Sequence, residues 1–214
     1  MTRPRHIFPV LLVLSLLLSA LPARGGEEIE NLVDIFESDR KLIALIEGRR
    51  QASIDLRRQE QVTWSGSRGE LGAFLTDERL LVVSTLSSSW QESRLRRGEA
   101  HSGTALISPY LVLVVTPERA IGFDAASGKF SEARLSIHDE VHTVKVENYI
   151  ALVITSGRAF GLSAKASGFS TIDFRRQEAI NAVQTSASKA VIRTTDRILA
   201  FEASGSGWRE HRLN

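Results

Sequence analysis

The chain has 214 residues, of which 43% are hydrophobic, 24% charged and 7% aromatic, and it has no cysteine. The length suits one domain or two small ones, and the composition excludes a disordered chain, a collagen and a coiled-coil rod. The lack of cysteine excludes a disulfide framework, a thiolate metal site and a cysteine nucleophile. The formal charge of +2 belongs to the start of the chain: Arg3, Arg5 and Arg24 precede any acid, and without them 27 basic residues fall to 24 against 25 acidic ones. A nucleic-acid binder would show a basic excess or stripe, and this near-neutral remainder has none.

Residues 1–25 read as a secretory leader. Arg3 and Arg5 form the charged start, residues 10–18 (VLLVLSLLL) the apolar stretch, and Ala23-Arg24-Gly25 a cleavage site after Gly25, with Ala23 as the second choice. The apolar run is interrupted by Pro9 and is shorter than the roughly 20 residues that span a bilayer. No later stretch is long and apolar enough to span. The expectation is a bacterial periplasmic or secreted protein, with no membrane span once the leader is removed.

The rest of the chain repeats. Arginine recurs at Arg40, Arg79, Arg119, Arg158 and Arg197, at spacings of 39, 40, 39 and 39. Three residues earlier stand Glu37, Thr76, Thr116, Thr155 and Thr194. Apolar columns hold the same register, such as Ile35, Phe74, Val114, Val153 and Ile192. Eleven residues after the arginine stand Gln51, Trp90, Phe130, Phe169 and Trp208. The first unit is the weakest, with Glu37 for threonine and Gln51 for the aromatic.

Each unit reads as four short strands. In the fourth they are residues 141–146, 149–155, 158–164 and 169–174, rich in β-branched and aromatic residues and broken by Ser, Gly and Asn. A period near 40 with four strands per unit is that of a propeller blade. The expected fold is therefore all-β: a five-bladed β-propeller of four-stranded antiparallel blades, at about residues 26–58, 59–97, 98–137, 138–176 and 177–214, closed into a ring that leaves no sheet edge open. Residues 27–47 also carry Ile29, Leu32, Val33 and Phe36 at helical spacing, but the repeat columns favour strand there. The first unit has little room for a first strand.

Two runs carry a family resemblance. Residues 119–130 (RAIGFDAASGKF) and 197–208 (RILAFEASGSGW) each place a strand, a short Ser-Gly turn and an aromatic in order. They resemble the blade motif of pyrroloquinoline-quinone-type propellers, and the repeat covers residues 32–213. The resemblance implies the fold and the packing of the aromatic between blades. It implies no cofactor.

A residue present in every blade is first a scaffold residue. Trp90, Phe130, Phe169 and Trp208 are expected to bury their rings between blades. The arginines, each just after a two-residue turn, are expected to fix that hairpin or to pair with Glu60, Glu99, Asp139 or Glu178. Antiparallel strands alternate their turns between the two faces of the disc. The arginines, the doublets Arg57-Arg58, Arg96-Arg97 and Arg175-Arg176, and the acids after them therefore fall near one face. It should be dense in charge of both signs.

The binding candidates are Trp64, His101, Tyr110, His138 and His142, which break the repeat, and Arg96 and Arg97 on the charged face. His138 and His142 are the closest histidine pair, but they span a connection and a strand, so no metal site is expected. No nucleophile elbow, phosphate loop or dinucleotide fingerprint occurs. A glycoside hydrolase would need two carboxylates across a channel. The candidates Glu60, Glu99, Asp139, Glu140 and Glu178 instead recur by blade, and the loops are short. The chain is thus expected to be a non-catalytic interaction module for another protein. The alternative is a small lectin-like propeller that binds glycans, similar to tachylectin-like proteins.

Overall fold

The computed structural model describes residues 29–213 except 49, 88 and 100–102. The expected leader and His101 lie outside these residues. The described part is all β, with no helix, in five antiparallel sheets that follow chain order. The first holds β1 (Val33–Ser38), β2 (Lys41–Ile46) and β3 (Arg50–Asp55). The second holds β4 (Val62–Arg68), β5 (Leu71–Thr76), β6 (Arg79–Ser84) and β7 (Gln91–Arg94). The third holds β8 (Thr104–Ile107), β9 (Leu111–Val115), β10 (Arg119–Asp124) and β11 (Lys129–Arg134). The fourth runs β12 (Val141–Val146), β13 (Ile150–Thr155), β14 (Arg158–Ser163) and β15 (Phe169–Asp173). The fifth runs β16 (Ile180–Ser186), β17 (Lys189–Thr194), β18 (Arg197–Glu202) and β19 (Trp208–Arg212). Within each sheet every strand pairs with its chain neighbour. The sheets pack face to face in sequence order, as propeller blades do.

The blade cores follow from composition. In blades 2 to 4 the two central strands, such as LGAFLT and RLLVVS, are mostly apolar on both faces and buried except at Arg158, the first residue of β14, because a neighbouring sheet covers each side. Small residues set how closely the blades approach. A Cβ on Gly122 would stand 2.3 Å from the Leu162 side chain, and one on Gly161 would stand 2.8 Å from the Phe201 ring. The four repeated aromatics lie in the cores between blades, with Trp90 against Phe74, Phe130 against Phe123 and Trp208 against Phe201 at ring separations of 5.7, 5.0 and 5.2 Å.

The first blade departs from expectation in three ways. It has three described strands, not four: β1 and β2 take the places of the second and third strands of the other blades. It is also shifted by one residue. In the other blades the two-residue turn lies between the repeat threonine and arginine, as in Thr76-Asp77-Glu78-Arg79. In the first, β1 pairs Ser38 with Lys41 around Asp39-Arg40. Ser38, not Glu37, therefore stands in the threonine position, and Lys41, not Arg40, in the arginine position. Arg40 lies in the turn and donates to the Leu56 carbonyl at 3.2 Å.

The third departure concerns closure. Among the described residues, no strand of blade 1 packs against blade 5 to the extent that neighbouring blades pack. The burial patterns agree: β2 and β17 alternate between buried and open residues, whereas their counterparts in blades 2 to 4 are buried on both sides. Among the described residues, the five blades form an open arc with one uncovered face at each end.

Candidate interaction face

The turns between the second and third strands and the connections between blades share one edge of the arc. Each connection from blade 1 to 2, 2 to 3 and 4 to 5 has one pattern: Arg57-Arg58-Gln59-Glu60, Arg96-Arg97-Gly98-Glu99 and Arg175-Arg176-Gln177-Glu178. The chain turns within these four residues, with Glu60, Glu99 and Glu178 N–H groups donating to the carbonyls of Arg57, Arg96 and Arg175 at 3.0–3.1 Å. The third residue has a positive φ of 70°, 87° or 68°, which suits glycine best. The turn aims the glutamate inward. Its carboxylate accepts the N–H of the first arginine, at 2.7 Å for Glu60 and 2.6 Å for Glu99 and Glu178.

That buried carboxylate meets the repeat arginine. Arg119 makes a bidentate pair with Glu99, Nε at 3.0 Å and Nη2 at 2.8 Å. Its Nη1 donates to Glu132 at 2.7 Å, and Nη2 also donates to the Arg94 carbonyl of the preceding blade at 2.7 Å. Arg79 repeats the scheme with Glu60, Glu92 and the Asp55 carbonyl, and Arg197 with Glu178, Glu210 and the Asp173 carbonyl. The repeat threonine completes each site: Thr76 donates to Glu60 at 2.7 Å and accepts the Arg79 N–H at 2.9 Å. Each arginine thus ties together a connection, the outer strand of its own blade and the outer strand of the blade before.

Arg158 is the weak copy. Its acid is the shorter Asp139, 3.4 Å away without hydrogen-bond geometry at Nε, and Thr171 stands where the others have a second glutamate. Its side chain is 35% exposed, against 4% for Arg79 and Arg197 and 8% for Arg119.

The electrostatics follow from the pairing. Burial alone would raise the carboxyl pKa of Glu60 and Glu99, but the paired arginines and the backbone donors outweigh it and hold both below the ordinary value. Arg197 pushes Glu178 down to about 2. The acids hold their partners in turn: Arg79, Arg119 and Arg197 are all raised. Glu60, Glu99 and Glu178 are therefore fixed anions inside ion pairs.

An outer charged layer covers this buried one. The first connection arginines pair with acids on the neighbouring turns or outer strands: Arg57 with Glu78 at 3.2 Å, Arg96 with Glu118 at 2.5 Å and Arg175 with Glu210 at 3.5 Å. The second ones, Arg58, Arg97 and Arg176, are exposed. Arg94 and Arg97 make no ion pair among the described residues. Arg57, Glu78, Arg94, Arg96 and Arg97 line one shallow depression of about 400 Å³.

The other binding candidates do not join them. Trp64 is half-buried in the core between blades 2 and 3. Tyr110 lies at the opposite edge, stacked on Tyr149 with ring centroids 4.7 Å apart, and Lys165 Nζ stands 5.0 Å from the Tyr149 ring. The neighbouring Tyr149 hydroxyl raises the Tyr110 hydroxyl pKa. His138 is exposed on the connection between blades 3 and 4, and His142 is the extra residue of a β-bulge in β12, also exposed. Among the described residues no group of three potential metal-ligating side chains gathers. Sequence reasoning missed Glu92, Glu132 and Glu210, the second acids of the arginine sites. Their signal was a column thirteen residues after the arginine, broken by Ser53 in the first unit and Thr171 in the fourth.

No protein-family model matches the sequence, and no curated protein matches it. Solved structures resemble it loosely. A chain in the crystal structure of Kap60 bound to yeast RCC1 (Prp20) is similar over 80% of this chain and 54% of that one, at 5% identity and a TM-score of 0.42. Hsv2 of Kluyveromyces lactis is similar over 85% and 59%, at 11% identity and 0.38. Apo AztD from Citrobacter koseri is similar over 85% and 60%, at 13% identity and 0.38. The chain spans 54–60% of the length of these proteins. The fold described above rests on the strand pairing itself.

Proposed function

We propose that the protein is an exported, non-catalytic interaction module that binds another protein through its arginine-bearing edge. The observation that supports this reading is the division of charge there. Arg79, Arg119 and Arg197 and the acids Glu60, Glu99 and Glu178 are buried and satisfied by each other. The outer layer differs from blade to blade and leaves Arg94 and Arg97 exposed and unpaired at the depression between blades 2 and 3. A broad charged edge suits a partner surface or segment carrying acidic groups. A bacterial periplasmic or secreted setting fits the leader.

A glycan-binding propeller would need an exposed aromatic repeated in each blade. The repeated aromatics here lie between blades instead, in the inter-blade cores. The test is capture of partners from periplasmic extract by the tagged mature chain, run beside a glycan array. A specific protein partner with no glycan signal is the expected result. Micromolar binding of one sugar type at several sites per chain would overturn it.

A further inference from the structure

We propose that the two uncovered end faces of the arc bind each other between copies of this chain, head to tail. The pairing rule is already written four times inside the molecule. Between neighbouring blades, the forward face of one sheet meets the backward face of the next at fixed positions counted from the turn. Gly122 meets Leu162 and Gly161 meets Phe201 by this rule, and Gly72 meets Val33 and Ile35.

Extended past the ends, the same rule sets the last blade of one copy on the first blade of another. Leu45 holds the position of Val83, Phe123, Leu162 and Phe201, all at most 2% exposed, yet it is 46% exposed. Its counterpart would be Ala200, a small residue like Gly122 and Gly161. Phe36 holds the position of Phe74, Val114, Val153 and Ile192, at most 3% exposed, and is itself 50% exposed. On the last blade, Val191 and Ile198 are likewise only partly covered, where their counterparts Leu152 and Ala159 are fully buried.

Charge agrees with the pairing. Asp34 takes the place of Gly72, so it would meet the counterparts of Val33 and Ile35, which are Lys189 and Val191. Lys189 pairs with Glu202 of its own blade at 3.1 Å and keeps further donors for Asp34. The first face carries Asp34 beside Phe36 and Leu45, and the last carries Lys189 and Arg193 beside Val191 and Ile198, so acidic and apolar side chains on one face meet basic and apolar ones on the other. Such a contact is heterologous, and two copies joined by it at both ends leave no end face uncovered.

The chain has no cysteine, so Leu45→Cys with Ala200→Cys reports the contact directly. Oxidation of the double variant is expected to give a covalent dimer or larger species, and sedimentation of the unmodified chain a mass of two or more copies. Asp34→Lys should weaken association about tenfold, with Lys189→Glu restoring it in the paired variant. An intramolecular disulfide would mean that one chain closes on itself and would overturn the proposal. So would a single-copy mass at every concentration, or no cross-link. Association through the end faces is independent of partner binding at the arginine edge, so either proposal can fail alone.

Discussion

At the residue scale the deciding feature is the buried arginine with two acids. Removing one partner of a buried pair leaves an uncompensated charge, at about 3–5 kcal/mol, whereas an exposed pair is worth about 0–1 kcal/mol. Arg119→Ala should therefore destabilise the fold by about 3–5 kcal/mol, and Arg158→Ala, whose 35% exposed side chain stands 3.4 Å from Asp139 and 3.9 Å from Asp173, by about 1 kcal/mol. Equilibrium urea unfolding of the two variants checks this, and equal losses would contradict it. Acid dependence follows from the same sites. The folded-state pKa values of Glu60, Glu99 and Glu178 lie below the unfolded value near 4.5. Their contribution is complete above that value and fades as pH falls through the folded values, to about 2 for Glu178. The melting temperature should fall steadily below pH 4.5, and Glu178→Gln should flatten part of that slope.

At the scale of the element, the tight places are turns and glycines. Gly98 holds a φ of 87° with open space around it, so Gly98→Ala should cost only the backbone term, about 1 kcal/mol. Gly161→Ala meets three ring atoms of Phe201 at 2.8 Å, and overpacking there should cost about 1–3 kcal/mol. Thermal melts that rank the two in reverse would show that the blades yield more readily than the turn. The strands and their order were legible because a 39-residue repeat aligns weak local signals. The first blade was not. Leu42, Ile43, Ala44 and Leu45 are all apolar, so either register fills the columns, and Arg40 drew the alignment one residue too early. Only the turn chemistry separates the two, with Ser38 and Lys41 flanking Asp39-Arg40 as Thr76 and Arg79 flank Asp77-Glu78. Of the candidate site, the pairing of the arginines with Glu60, Glu99 and Glu178 was readable from spacing. The scatter of Trp64, Tyr110 and His142 over separate regions was not, because it depends on which face of each strand meets a neighbour.

At the scale of the whole molecule, the repeat builds the arc and the departures from it carry the proposed recognition. Closure was expected because open sheet edges are costly, yet what stays open is a face at each end, and Phe36 and Leu45 look alike in sequence whether covered or not. The central claim is that the inner charged layer is scaffold and the outer one is for binding. It is tested most directly by measuring the affinity of the captured partner for the Arg96→Glu, Arg97→Glu double variant. Both side chains are exposed, and surface substitutions usually stay within about 0.5 kcal/mol in stability. The account predicts that binding is lost while the melting temperature stays near that of the wild type. Undiminished binding by this variant would contradict it.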